Sequence, residues 1–174
     1  FDLLDILPGV IEESHYSKDT QSDYVGALCT RVKSLTNGIY GSVLCAEDAL
    51  SDAEMFDQNV IVDLSRVGSM ETKSLLMGIL VMKLQEYRMC SSGMNSRLRH
   101  VTVLEEAHNL LRKTSAEQSQ EGANLQGKSV EMLANAIAEM RTYGEGFIIA
   151  DQAPGLLDMS VIRNTNTKII LRLP

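Results

Sequence analysis

The chain has 174 residues, the upper size of one ordinary domain, and its 16 basic and 23 acidic side chains leave a net charge of −7. With 44% apolar and 22% charged residues the composition is globular, which excludes a disordered or collagen-like chain. The acidic balance argues against an isolated nucleic-acid grip, which needs a basic surface, although a local basic face is still allowed.

The first fifteen residues read as helical, with Pro8-Gly9 weakening the pattern. Tyr24, Leu28, Val32 and Leu35 form a second helical stripe that stops at Asn37-Gly38. Val60–Leu64 (VIVDL) is the first of four short, continuous apolar runs, followed by Val101–Leu104, Phe147–Ala150 and Ile169–Leu173. Continuous rather than alternating apolar residues predict strands buried on both faces of a parallel sheet. Between the runs, Leu75 to Met89 is apolar nearly all round at its start and predicts a buried helix. Lys113 to Gly127 is polar and rich in Gln, Ser and Glu, and reads as a long mobile loop. Ser129 can then cap a helix whose Val130, Leu133, Ile137 and Met140 recur at helical spacing. Alternating strands and helices predict an α/β layered fold; no internal repeat or domain boundary stands out.

Three cysteines, Cys29, Cys45 and Cys90, are far apart, and His15, His100 and His108 stand alone, so no metal-ligand spacing occurs. Inert thiols in a reducing cytoplasm are the simple expectation. The longest apolar run, Leu75–Met82, is far short of a membrane span. The sequence opens at Phe1 without a signal-peptide layout, which points to a piece of a longer protein.

The acids fall in a pattern. VIV leads to Asp63, VTVL to Glu105-Glu106, and FIIA to Asp151-Gln152. In a parallel sheet these strand ends share one edge, where ligands of open α/β folds bind. Carboxylates there suit a Mg²⁺-nucleotide site, one holding the metal through water and another orienting and deprotonating an attacking water. A single acid such as Asp63 also serves as an ordinary helix cap. Two adjacent carboxylates repel, so the Glu105-Glu106 pair points more strongly to a managed cation or water.

Gly122-Ala-Asn-Leu-Gln-Gly127-Lys128-Ser129 matches the letters of a phosphate-binding loop, G-x-x-x-x-G-K-[ST]. That motif needs a buried strand leading into it, and the polar segment Thr114–Glu121 cannot supply one. The Glu105-Glu106 strand also precedes the segment, whereas the acidic strand normally follows the loop. A rival order uses this loop, its helix, then FIIAD as the acidic strand, but only about twenty residues separate loop and acid. The match is therefore read as a coincidence.

Taken together, NVIVDLS (59–65), VTVLEEAHNLL (101–111), AEMRTYGEGFIIADQAP (138–154) and VIRNTNTKIILRL (161–173) resemble the C-terminal part of a HerA/FtsK-type P-loop ATPase domain. The likeness is to HerA-like translocases and conjugative type IV secretion ATPases, and runs from about Asn59 to Pro174. It implies an α/β fold with a RecA-like, mostly parallel sheet flanked by helices, truncated at its N-terminal side. Residues 1–58 form a helical region without motifs, and 59–174 hold the Walker B, sensor and arginine half. The resemblance makes Glu105 the metal-side acid, through water to Mg²⁺, and Glu106 the acid that polarises the attacking water. It makes Gln152 a sensor of the γ-phosphate, and Arg141 and Arg172 arginines that reach a neighbouring subunit's nucleotide. His108 follows the acids as a structural or supporting histidine, and Asn166 and Thr167 help sense nucleotide or simply form a turn. Implied cofactors are ATP and Mg²⁺. The implied parent is a cytoplasmic hexameric ring, with DNA or a secretion substrate met through other segments. The phosphate loop of that family lies upstream of everything quoted, so this piece is expected to be inert alone. The alternatives are a small self-contained nucleotide-binding enzyme using Gly122–Ser129, and a non-catalytic interaction module on an ATPase-like scaffold.

Overall fold

The computed structural model describes residues 2–113 and 122–171, which divide into two units, Phe1–Leu50 and Ser51–Pro174. In the first, α1 (Asp2–Glu12), α2 (Lys18–Leu35) and α3 (Gly38–Leu44) follow one another. Pro8 lies inside α1, where its missing N–H breaks one turn of the ladder without ending the helix. Ser17 caps α2 by accepting from the Thr20 amide, and Gln21 Nε2 donates to the carbonyls of Glu12 and Ser14, fastening α2 to the end of α1. The helix stops at Thr36, just ahead of Asn37-Gly38 as the sequence predicts. Its stripe packs weakly: no α2 residue is buried, and Tyr24 and Leu28 remain exposed.

The second unit contains α4 (Asp52–Phe56), α5 (Met70–Ser91), β1 (His100–Glu105), α6 (Gly122–Met140), β2 (Glu145–Ala150) and α7 (Met159–Asn164). Ser51 and Glu54 form a reciprocal capping box on α4, and Ser69 caps α5. β1 and β2 pair in parallel, with His100 opposite Glu145 and Glu105 opposite Ala150. The unit is mixed α and β with a small parallel sheet. Its core joins Val81 and Leu84 of α5, Leu104 of β1, Leu111, and Ala134 and Met140 of α6. Among the described residues, no helix is long and apolar enough to cross a membrane.

Three expectations change. The run Val60–Leu64 joins no ladder, and Ile61 is 94% exposed. Ile169–Leu171 is likewise outside any strand, with Ile170 87% exposed. An apolar run becomes a buried strand only where a neighbouring edge and two covering layers meet it, and the described residues supply neither. Second, α5 is not buried all round: Met77, Val81, Leu84 and Arg88 make its buried stripe, while Leu75 and Ile79 are exposed. Third, Ser129 is not the N-cap of its helix, because α6 already begins at Gly122. The loop expected over 113–127 otherwise falls largely outside the described residues.

Between α6 and β2 the chain turns through a short 3₁₀ segment (Arg141–Tyr143) onto Gly144, whose φ is +85°. A Cβ at Gly144 would stand 2.5 Å from the Arg97 carbonyl oxygen. Gly144→Ala is expected to cost about 1–3 kcal/mol, read from the denaturant midpoint of unfolding. A change below about 0.5 kcal/mol would show that this backbone has room to relax.

Candidate functional site

The parallel register decides the geometry. Because Glu105 faces Ala150, both strands release their chains at the same edge, and Glu106 and Asp151 are the next residues out. β1 then enters a 3₁₀ turn (Ala107–Asn109), with the Asn109 amide donating to the Glu106 carbonyl at 2.9 Å. Glu106 itself sits in the left-handed region (φ 49°, ψ 46°), which non-glycine residues rarely occupy. Strain of this kind gathers at functional sites when surrounding contacts enforce it.

Asp151 braces the turn that follows Glu106. Its Oδ2 accepts from the His108 main-chain amide at 2.8 Å and lies 3.0 Å from the ring Nδ1, and its Oδ1 accepts from the Ala153 amide at 2.7 Å. The Asp151 side chain is only 3% exposed. Burial pushes its carboxyl up, but these hydrogen bonds outweigh burial and leave it below the usual carboxylate range. The same His108 Nδ1 lies 3.4 Å from Glu106 Oε2, whose side chain is about half exposed. The result is a chain of carboxylate, imidazole and carboxylate across the two strand ends.

The other sequence candidates are more dispersed. Glu105 is exposed at the last position of β1. Gln152 is exposed, one residue beyond Asp151 on the same edge. Arg141 is exposed in the 3₁₀ turn before β2, and β2 starts there at its opposite end from Gln152. Asn166 and Thr167 are exposed on the segment after α7, which leads into no strand. Arg172 lies outside the described residues. Asp63 neither caps a helix nor joins the cluster. It accepts from the Ser65 amide at 2.8 Å in a local turn, and that bond holds its carboxyl low.

The Gly122–Ser129 backbone is the first part of α6. From the second turn onward helical amides are committed to carbonyls four residues back, so Gly127, Lys128 and Ser129 cannot wrap a phosphate as a loop does. An open groove of about 1140 Å³ runs beside α5 and α6, lined by Leu75, Ile79, Met82 and Leu133 with His108 and Arg112. Glu105 and Glu106 do not line it.

Hard carboxylate oxygens suit Mg²⁺, which keeps most of its waters and takes one or two protein carboxylates. Among the described residues no group of three or more His, Cys, Asp or Glu could hold a metal.

At the other end of the sheet lies a buried ionic network the sequence did not announce. Arg88 donates through Nε to Glu145 Oε2 at 2.8 Å, through Nη1 to Asp57 Oδ1 at 2.6 Å, and through Nη2 to the Phe56 carbonyl. Glu145 Oε1 accepts from His100 Nδ1 at 2.8 Å and from the Thr102 hydroxyl at 2.7 Å. One sequence signal existed: Arg88 continues the buried spacing of Met77, Val81 and Leu84. No protein-family model, curated protein or solved structure matches the chain.

Proposed function

We propose that this chain carries the acid-bearing half of an ATP-driven motor domain, with a RecA-like sheet of the HerA/FtsK type. The observation that carries this reading is the convergence of Glu105-Glu106 and Asp151-Gln152 at one edge of a parallel pair. A second supports it. Leu104 is buried and Phe147 and Ile149 partly so, yet Val101, Val103 and Ile148, on the opposite face of the sheet, are exposed. Parallel sheets carry cover on both faces, so an open apolar face and the exposed runs at 60–62 and 169–171 fit a larger sheet completed by residues upstream.

In this reading Glu105 would hold Mg²⁺ through water and Glu106 would accept a proton from the attacking water. A metal held there would supply charge neutralisation for phosphoryl transfer. Gln152 would sense the γ-phosphate, and Asn166 and Thr167 would help sense nucleotide. Arg141 and Arg172 would serve a neighbouring subunit's nucleotide in a hexameric ring. The phosphate cradle would lie upstream of Phe1, and the parent would move DNA or a secreted substrate in the cytoplasm.

The test is Mg-ATP titration of residues 1–174 by calorimetry. No saturable binding is expected up to low-millimolar nucleotide, and Lys128→Ala should leave the trace unchanged. Tight binding that vanishes in Lys128→Ala would return the phosphate role to Gly122–Ser129 and make the chain a self-contained nucleotide-binding enzyme.

A further inference from the structure

We propose that His108 is a positioning residue for Glu106, itself oriented by the buried Asp151 carboxylate. This rests on the reading of Glu106 as the acid that activates water.

Asp151 accepts two main-chain N–H bonds, from His108 and Ala153, and is ionised, and an ionised carboxylate can only accept. The His108 nitrogen facing it therefore carries a proton. That fixes the ring's orientation, with Nδ1–H toward Asp151 Oδ2 at 3.0 Å. The same nitrogen lies 3.4 Å from Glu106 Oε2, longer than an ordinary hydrogen bond, so the ring edge faces two carboxylates of unequal freedom. Asp151 is buried and pinned; Glu106 is about half exposed. The ring passes the rigidity of the first to the second.

Glu106 needs that restraint. A left-handed backbone aims its side chain away from the direction a continuing strand would give, and an exposed glutamate on such a turn would otherwise sample many rotamers. A base that activates water works only within hydrogen-bond reach of that water. The clasp also ties the end of β1 to the residue preceding Gln152, so the acid and the sensor segment share one anchor.

A purely structural role is separable, because the main-chain amide of His108 makes its own 2.8 Å bond to Asp151. His108→Ala deletes the ring and keeps that tie. His108→Asn places an amide nitrogen close to the position of Nδ1 and keeps the donor.

Two measurements test the proposal. In residues 1–174, ¹⁵N-histidine spectra at neutral pH should show His108 protonated at Nδ1; a bare Nδ1 overturns the clasp. In the protein extended upstream through its phosphate loop, His108→Ala should lower kcat for Mg-ATP about 10- to 100-fold, with KM changed by less than about twofold. His108→Asn should recover most of the lost kcat. An unchanged kcat in His108→Ala, or an asparagine variant no better than alanine, overturns the proposal alone. A wild type with no ATP turnover overturns the ATPase reading and with it the positioning role, whatever the Nδ1 result.

Discussion

Arg88→Met is expected to destabilise the unit beginning at Ser51 by about 3–5 kcal/mol, read as a lower denaturant midpoint at unchanged m-value. The Glu145 side chain is fully buried and Arg88 is 5% exposed, so water can replace neither partner. Removing the guanidinium strands the Glu145 carboxylate with only His100 and Thr102 as donors, and it orphans the Phe56 carbonyl. Breaking a buried pair costs far more than the pair itself contributes. Arg88→Met combined with Glu145→Leu should therefore cost less than the sum of the two single changes. Additive losses would show that the two side chains do not act as a pair.

The network also has an acid-sensitive part. Hydrogen bonds from Tyr87 and Arg88 hold the Asp57 carboxyl below its ordinary value of 3.8. A lowered carboxyl stabilises the fold fully above that ordinary value, and the contribution is lost as pH falls through the lowered one. Arg88→Met removes one of the two donors, so its stability should fall less steeply on acidification.

This network bears on the candidate site through the sheet. It joins His100 and Glu145, the first residues of β1 and β2 and partners in the register. The same register, six residues on, brings Glu106 and Asp151 off the strands together. What fastens one end of the pair sets the alignment of the other.

Local chemistry explains which features were legible in the sequence. The apolar runs at 101–104 and 147–150 and the acids after them follow from composition over a few residues, and the helical stripe through Val130 and Met140 does too. The α2 stop before Asn37-Gly38 is equally local. The runs at 60–64 and 169–171 show the limit, because apolarity alone does not provide a neighbouring strand to pair with. The helical start at Gly122 was hidden by a glycine- and glutamine-containing stretch whose letters imitate a loop. The Asp151–His108 clasp and the Arg88–Glu145 pair join residues 43 and 57 positions apart. Such contacts depend on strand register and helix packing, which no short window of sequence encodes.

The second large effect concerns Glu106. If Glu106 is the proposed base, glutamine keeps its size and its place on the left-handed turn but cannot take a proton from water, so hydrolysis should fail while nucleotide binding persists. A general base contributes on the order of 10²–10⁴-fold to rate. If the domain were instead a non-catalytic interaction module on an ATPase-like sheet, this carboxylate would have no proton to accept. The deciding measurement is Mg-ATP turnover in the upstream-extended protein, comparing wild type with Glu106→Gln. Turnover in the wild type and a loss of at least about 100-fold in kcat for the variant, with Mg-ATP still bound, are expected; equal turnover in the two proteins, or none in the wild type, would contradict the catalytic role of Glu106.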